Sequence, residues 1–331
     1  MNKVKAVAVL VMACALAAVA VLSSCSCSQQ SSSSSSKSEK PEVSTEASVS
    51  SSTSISKDPF YVLIVGNDSR TGTSEIGKEQ YADGTARSDT IMLTRVDPTT
   101  HKITLVTIPR DTKAYLEDGS PYKINETYHQ GGMDGLLKAV EDLTGVRPKY
   151  YLDTTFVGFE DIVNAIGGIS MYVPFNQSMD DIVSGNPIEF SAGDQTLDGA
   201  QALVFARERK AYGRAGASNE EACRQTNDRA IMRTIMQKIM AAGDGAEALV
   251  KATYPFVKTN MSLEELTAYV KDFTANSGQV SFLDGTGPYD GDVDGEAGVW
   301  LATRDEDTWR EIIAVVDRGE DPNTVLQAPS I

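Results

Sequence analysis

The chain has 331 residues, with 30 lysines and arginines against 46 aspartates and glutamates, a net charge of −16. The first 57 residues hold five lysines and three glutamates, which leaves −18 on the rest. That excludes the broad positive field nucleic acid requires, so any arginine cluster is local and suited to one small anion.

The chain opens on MNKVKAVAVLVMACALAAVAVLSSCSCSQQ, two lysines followed by an uncharged apolar run from Ala6 to Leu22. This is the pattern of an export signal. As a helix the run spans about 25 Å, short of a hydrocarbon core of about 30 Å. LSSC, Leu22 to Cys25, has the form of a lipobox, which predicts a lipid on Cys25 after cleavage. The alternatives are an uncleaved membrane helix with Lys3 and Lys5 inside, or free secretion. All three put the rest of the chain outside the cytoplasm, and the first two fix it to the membrane. We assign residues 1–24 to the signal or anchor.

Residues 25–57 are serine-rich, with six serines in a row at Ser31–Ser36. Such a composition cannot bury enough apolar surface to order itself and predicts a flexible tether. Of the four cysteines, Cys14, Cys25 and Cys27 precede the folded part, which holds Cys223 alone, so no disulfide framework is expected.

A single folded domain is expected over 58–321, with 322–331 as a tail. FYVLIVG, Phe60–Gly66, is a short continuous apolar run, as in a strand covered on both faces. DTIMLTRV and KITLVTI are two more strands, joined by the turn residues DPTTH. MDGLLKAVEDLTG has helical spacing and stops at Gly145. Next come a strand at KYYLDTTF, a helix at FEDIVNAIGG and a strand at ISMYVPF. DGAQALVFARER, ACRQTNDRAIMRTIMQKIM, SLEELTAYVKDF and EDTWREIIAVVD are predicted helices. The alternation implies a three-layer α/β fold, a central mixed sheet flanked by helices.

Charged residues crowd the strand ends. If the hairpin turns at DPTTH, Val96 pairs near Lys102 and Asp89 faces Pro109, so Arg87 and Arg110 emerge at one edge. GNDSR delivers Asp68 and Arg70 from the C-terminal end of the first strand. With that strand parallel to KITLVTI, Arg87, Asp89, Arg110 and Asp111 join them on one rim. Ligands of open α/β sheets bind beyond such strand ends. Two carboxylates among several arginines suit a divalent metal and a phosphate bound together. The same pattern also fits a rim of structural ion pairs. Farther on, Arg207 and Arg209 follow a helical stretch, and Arg224 and Asp228 share one helix face by their i,i+4 spacing. His101 is placed in a turn and His129 after a polar strand, neither with metal-ligand spacing.

Taken together, GNDSR, ARSDTIMLTRVDPTTHKITLVTIPRDT, KINETYHQGG and LDGAQALVFARERK with the following arginine resemble the LytR-CpsA-Psr family, over about Phe60 to Trp309. The resemblance implies a phosphotransferase. Such an enzyme moves a glycosyl phosphate from a polyprenyl-pyrophosphate-linked anionic glycopolymer to a peptidoglycan sugar hydroxyl with Mg²⁺, or Mn²⁺ in its place. It also implies helices enclosing an apolar tunnel for the lipid. By motif, Asp68 and Asp89 correspond to the metal ligands. Arg87, Arg110, Arg207, Arg209 and Arg224 correspond to the pyrophosphate clamps. Arg70 and Lys123 fall in matching motifs, and Asp111 is expected to orient Arg110. GFEDIVNAIGG and GLLKAVEDL are expected along the tunnel or in ordinary core.

The sequence departs from the family at three points. Asp228 stands where the family often has Gln, and there it is either a base for the acceptor hydroxyl or a charge partner of Arg224. No Asp precedes Arg224, Glu221 being nearest. A lipobox replaces the common transmembrane anchor. Two further functions remain open: a polyprenyl-pyrophosphate pyrophosphatase using water as acceptor, and a non-catalytic lipid-carrier-binding module.

Overall fold

The first strand, β1 (Phe60–Asn67), sends Val62 and Ile64 to one side and Leu63 and Val65 to the other, and all four are buried. A strand apolar on both sides must lie inside a sheet covered on both faces. In the computed structural model, which describes residues 55–74 and 86–327, it does. β2 (Ser88–Asp97) pairs antiparallel with β1 and with β3 (Lys102–Thr107). β4 (Tyr150–Thr154) runs parallel to β1, and β5 (Lys258–Thr259) closes that edge antiparallel. β6 (Ser281–Thr286) lies parallel to β3 at the opposite edge, giving the order β5-β4-β1-β2-β3-β6.

The hairpin register differs by one residue from the expectation: Val96 pairs with Ile103 and Asp97 with Lys102. Asp97 accepts hydrogen bonds from the Thr99 and Thr100 N–H groups at 3.0 Å, and His101 closes the turn at φ 52°. Continued to the far end, this register sets Asp89 opposite Arg110 instead of Pro109.

Among the described residues eight α-helices are assigned: α1 (Ile124–Thr144), α2 (Phe156–Ala165), α3 (Gly199–Arg207), α4 (Lys210–Arg214), α5 (Glu220–Ala241), α6 (Ala246–Thr253), α7 (Leu263–Ala275) and α8 (Glu306–Asp317). On one sheet face, Leu136, Val140 and Leu143 of α1 and Trp309, Ile312 and Val316 of α8 pack on Leu63, Val65, Ile91, Leu93 and Val106. On the other, Met240 of α5 and Tyr269 and Phe273 of α7 pack on Phe60, Val62, Ile64, Met92 and Leu105. A third cluster joins α2, α3 and α5 to the ribbon Ile169–Val173/Gly193–Leu197. The three-layer α/β arrangement is therefore the observed one.

α1 begins at Ile124, within the KIN motif, so His129 lies on a helix and not after a strand. The helix ends as expected, with Gly145 in the left-handed region at φ 73°. The packed chain also runs past both expected limits. Ile55 packs beside the Phe60 cluster, and Val325 and Leu326 pack against the Trp309 cluster. The four apolar clusters of the described residues lie within Ser52–Ile331, which packs as one compact unit. The signal segment, Cys25 and the tether up to residue 54 lie outside the described residues.

Candidate active site

At the end of β1 the pairing with β2 shifts register between Gly66 and Asn67. Beyond the shift, Asp68 and Arg87 remain tied: Asp68 N–H donates to the Arg87 carbonyl at 3.0 Å, and Arg87 N–H to Asp68 Oδ1 at 2.6 Å. Burial pushes the Asp68 carboxyl above the usual carboxylate range. The Arg87 N–H opposes this, and the negative charge of Asp89 adds to it. Beneath this rim Asn67 and Tyr128 both donate to Asp153, at 2.7 and 2.8 Å, and fix the strand end.

The sequence did not single out the residue at the centre of the arginines. Glu221, in the first turn of α5, accepts from Arg224 Nη2 at 2.6 Å and lies 3.3 Å from Arg110 Nε. Although burial raises its pKa, Arg224, Arg110 and Arg209 outweigh that and hold it at about 2. Arg110 Nη1 also donates to Asp89 at 2.8 Å, while Arg224 donates to the Asp89 carbonyl at 3.0 Å and to Asp228 at 2.7 Å. Asp228 further accepts from Thr90 Oγ1 at 3.1 Å, and burial pushes its carboxyl up against the pull of Arg224.

Arg207 ends α3 and Arg209 precedes α4. Between them the buried Glu208 turns inward and accepts from the Ala211 N–H at 2.8 Å. That alternation brings both arginines to the wall of one pocket, with Asp89, Thr90, Arg110, Arg224 and Asp228. Arg207 and Arg70 each lie 5.1 Å from the centre of the Phe156 ring at the start of α2. Gly158 lets that helix start so close: a Cβ there would stand 2.6 Å from Thr154 Oγ1 and 2.8 Å from the Phe256 carbonyl.

Ile64, Val65, Thr154, Phe159 and Met232 belong at once to this charged pocket and to an apolar cavity of about 250 Å³ behind it. The cavity runs between the sheet and helices α2, α5, α6 and α7, past Val62, Ile162, Met236, Ile239 and Leu266. A cluster of cations therefore opens into an oily chamber. The LytR_cpsA_psr family profile matches residues 21–311 of the sequence.

The chain belongs to the LytR-CpsA-Psr family. It is similar to the Bacillus subtilis protein named polyisoprenyl-teichoic acid–peptidoglycan teichoic acid transferase TagV, 28% identical over 217 residues, covering 64% of this chain and 52% of that protein. The chain thus spans about half the length of that relative. A TagU of the same transferase name from Bacillus mycoides is 30% identical over 230 residues, 67% of each chain. The crystal structure of B. subtilis TagV superposes with a TM-score of 0.62 at 25% identity, over 81% of this chain and all of that one. The fold is also shared by the family protein YwtF (TagT) with bound octaprenyl pyrophosphate lipid, at a TM-score of 0.55 and 20% identity, over 80% and 91% of the two chains.

Against this LytR-CpsA-Psr frame the expected residues divide. Asp89, Arg110, Arg207, Arg209, Arg224 and Asp228 line the pocket. Asp68 sits on the adjoining rim with Arg70, whose Nη2 is 3.8 Å from it. The Arg87 side chain turns away to Glu126 at 2.7 Å. Asp111 pairs with Lys123 at 2.6 Å and only grazes Arg110 at 4.0 Å, so it positions the lysine more than the arginine. Of the expected tunnel segments, α2 supplies Phe159 and Ile162, whereas the GLLKAVEDL side chains pack on the opposite sheet face. The one sequence signal for Glu221 is that it is the nearest acid before Arg224.

Proposed function

We propose that the chain transfers a glycosyl-phosphate polymer from a polyprenyl-pyrophosphate carrier to a sugar hydroxyl of peptidoglycan, outside the cytoplasm and attached to the membrane through its N-terminus. The observation that carries this reading is the shared wall between the arginine pocket and the apolar cavity. A ligand filling both has an anionic head and a long apolar tail. The transferase names of the relatives point the same way.

In this reading the cavity takes the first part of the prenyl tail, and Arg110, Arg207, Arg209 and Arg224 hold the pyrophosphate by forked hydrogen bonds. The acceptor oxygen bonds to the phosphorus that carries the sugar. The bond from that phosphorus to the bridging oxygen breaks, polyprenyl phosphate leaves, and the acceptor proton passes to a base or solvent. Asp68 and Asp89 suit Mg²⁺. They are carboxylates close enough for one charge to raise the other, and Mg²⁺ takes one or two carboxylates and completes its shell with water and phosphate oxygens. Among the described residues no group of three or more acidic, cysteine or histidine side chains offers a larger cage. Bound there, the ion would offset the phosphate charge.

The test is transfer from a polyprenyl-pyrophosphate-linked glycan to purified peptidoglycan, with lipid extracted from the purified protein identified by mass spectrometry. Co-purified polyprenyl phosphate and metal-dependent transfer that Asp89→Asn abolishes are expected. Phosphate release without transfer would make the protein a pyrophosphatase, and lipid without turnover a carrier-binding module. For the N-terminus, a fatty-acid analogue should label the wild type and not Cys25→Ala.

A further inference from the structure

Four large apolar side chains are exposed among the described residues, and three of them, Tyr115 (55%), Val293 (62%) and Trp300 (40%), sit on two neighbouring hairpins. The first hairpin is Lys113–Tyr115/Pro121–Lys123, and the second is Gly291–Val293/Trp300–Ala302. Val293 and Trp300 are direct cross-strand partners and so share one ribbon face. Lys113 links the two hairpins, pairing with Asp294 at 2.7 Å while its Nζ lies 5.9 Å from the Tyr115 ring centre. Arg304, just past the second hairpin, reaches the same ring at 5.7 Å.

Both hairpins lead into the site. Thr112 bridges to Ala302, the Ala302 N–H donates to the Asp111 carbonyl at 2.8 Å, and Lys123 of the first hairpin pairs with Asp111, next to Arg110. Two residues of strand separate Trp300 from that bridge, about 7 Å.

We propose that this aromatic surface is the acceptor subsite, where a neutral glycan strand of peptidoglycan lies while one of its hydroxyls faces the arginine pocket; the proposal rests on the transfer reading above. Sugar rings present C–H faces that stack on the electron-rich faces of Tyr and Trp, and hydroxyls that bond to charged side chains around them. Contiguous exposed apolar surface marks an interaction site. The choice among occupants follows from charge. Asp290, Asp292 and Glu296 are exposed beside Val293 and Trp300. This acidic fringe repels an anionic lipid surface and a second copy of an acidic chain, but not an uncharged glycan.

The chain has two tryptophans, and Trp309 is fully buried, so a change in emission on ligand addition reports Trp300. The Ser52–Ile331 unit is titrated with soluble glycan chains freed of their peptides, and separately with phosphatidylglycerol vesicles. A saturable blue shift with glycan chains is expected. Calorimetric affinity should fall at least tenfold in the double variant Trp300→Ala/Tyr115→Ala, with phosphate release from free polyprenyl pyrophosphate unchanged. Val293→Glu, at a site 62% exposed, should weaken glycan binding similarly and covers any misfolding of the double variant. No shift with glycan chains, equal affinity in the variants, a shift with vesicles alone, or a solution dimer that Trp300→Ala dissolves would each overturn the assignment. Glycan binding intact in a protein that performs no transfer would leave the subsite standing and remove the transferase reading.

Discussion

Arg110 holds Asp89 with one nitrogen and faces Glu221 with others, a fork-on-two-carboxylates geometry that an ammonium cannot copy. Arg110→Lys should therefore lose transfer nearly as fully as Arg110→Ala, each by roughly 10²–10³ in kcat, the scale for losing one donor that stabilises developing charge. Most activity surviving in the Lys variant would mean that charge alone suffices. Asp228 has both a cation and a hydroxyl on one oxygen, the contacts of a partner that pins Arg224. Asp228→Gln should then lower the melting temperature and leave transfer within about threefold, whereas a base there would cost roughly 10²–10⁴. The pH dependence of stability follows from Glu221. Its folded pKa of about 2 is below the ordinary 4.5, so its stabilisation is complete above pH 4.5 and lost as pH falls towards 2. Acid unfolding of Glu221→Gln should show a shallower loss of stability across that window. An unchanged acid profile would mean the arginines do not need it.

The two helical layers do different work, and substitutions can separate them. Leu136 of α1 is fully buried under the far sheet face, so Leu136→Ala should cost about 2–5 kcal/mol in denaturant unfolding while leaving co-purified lipid unchanged. Met236 of α5 lines the cavity, so Met236→Trp should displace lipid with little loss of stability. Reversed effects would put the lipid on the wrong side of the sheet. The strands and long helices were legible in the sequence because their apolar periods are strong and their stops, such as Gly145, are chemical. GLLKAVEDL reads equally as tunnel lining or core, because amphipathic spacing marks a buried face without saying which of two layers covers it. The register slip in the hairpin came from His101, whose left-handed turn no pattern of hydrophobicity records. β6 and the two hairpins beside Asp111 carry too little alternation to be read from sequence, being short or half-exposed. Glu221 escaped for a different reason: a glutamate early in a helix usually serves only the helix dipole.

At the scale of the whole chain, the arginine pocket is a small positive island on a molecule of net charge −16. An anionic donor is repelled until it comes close, and the range of that repulsion is the Debye length, about 30 Å at 0.01 M salt and 10 Å at 0.1 M. Stopped-flow association of a short-chain pyrophosphate donor should accordingly speed up as salt rises through this interval. Slowing with salt would show that the local arginines govern the approach.

On the proposed function, the wall shared by the charged pocket and the cavity would also govern how the spent carrier departs. In the proposed transfer, once the phosphorus had moved to its acceptor, the leaving monophosphate would still have its prenyl chain in the cavity lined by Phe159, Met232 and Met236, and its head would have lost one of two phosphates. Each buried methylene holds that product by about 0.8 kcal/mol, undiminished by the reaction. Under the proposed function, steady-state turnover would then be set by repartitioning of the monophosphate into the bilayer. Added polyprenyl phosphate should inhibit competitively against the donor, and shortening the carrier by one isoprene unit should raise the turnover number even as it raises KM.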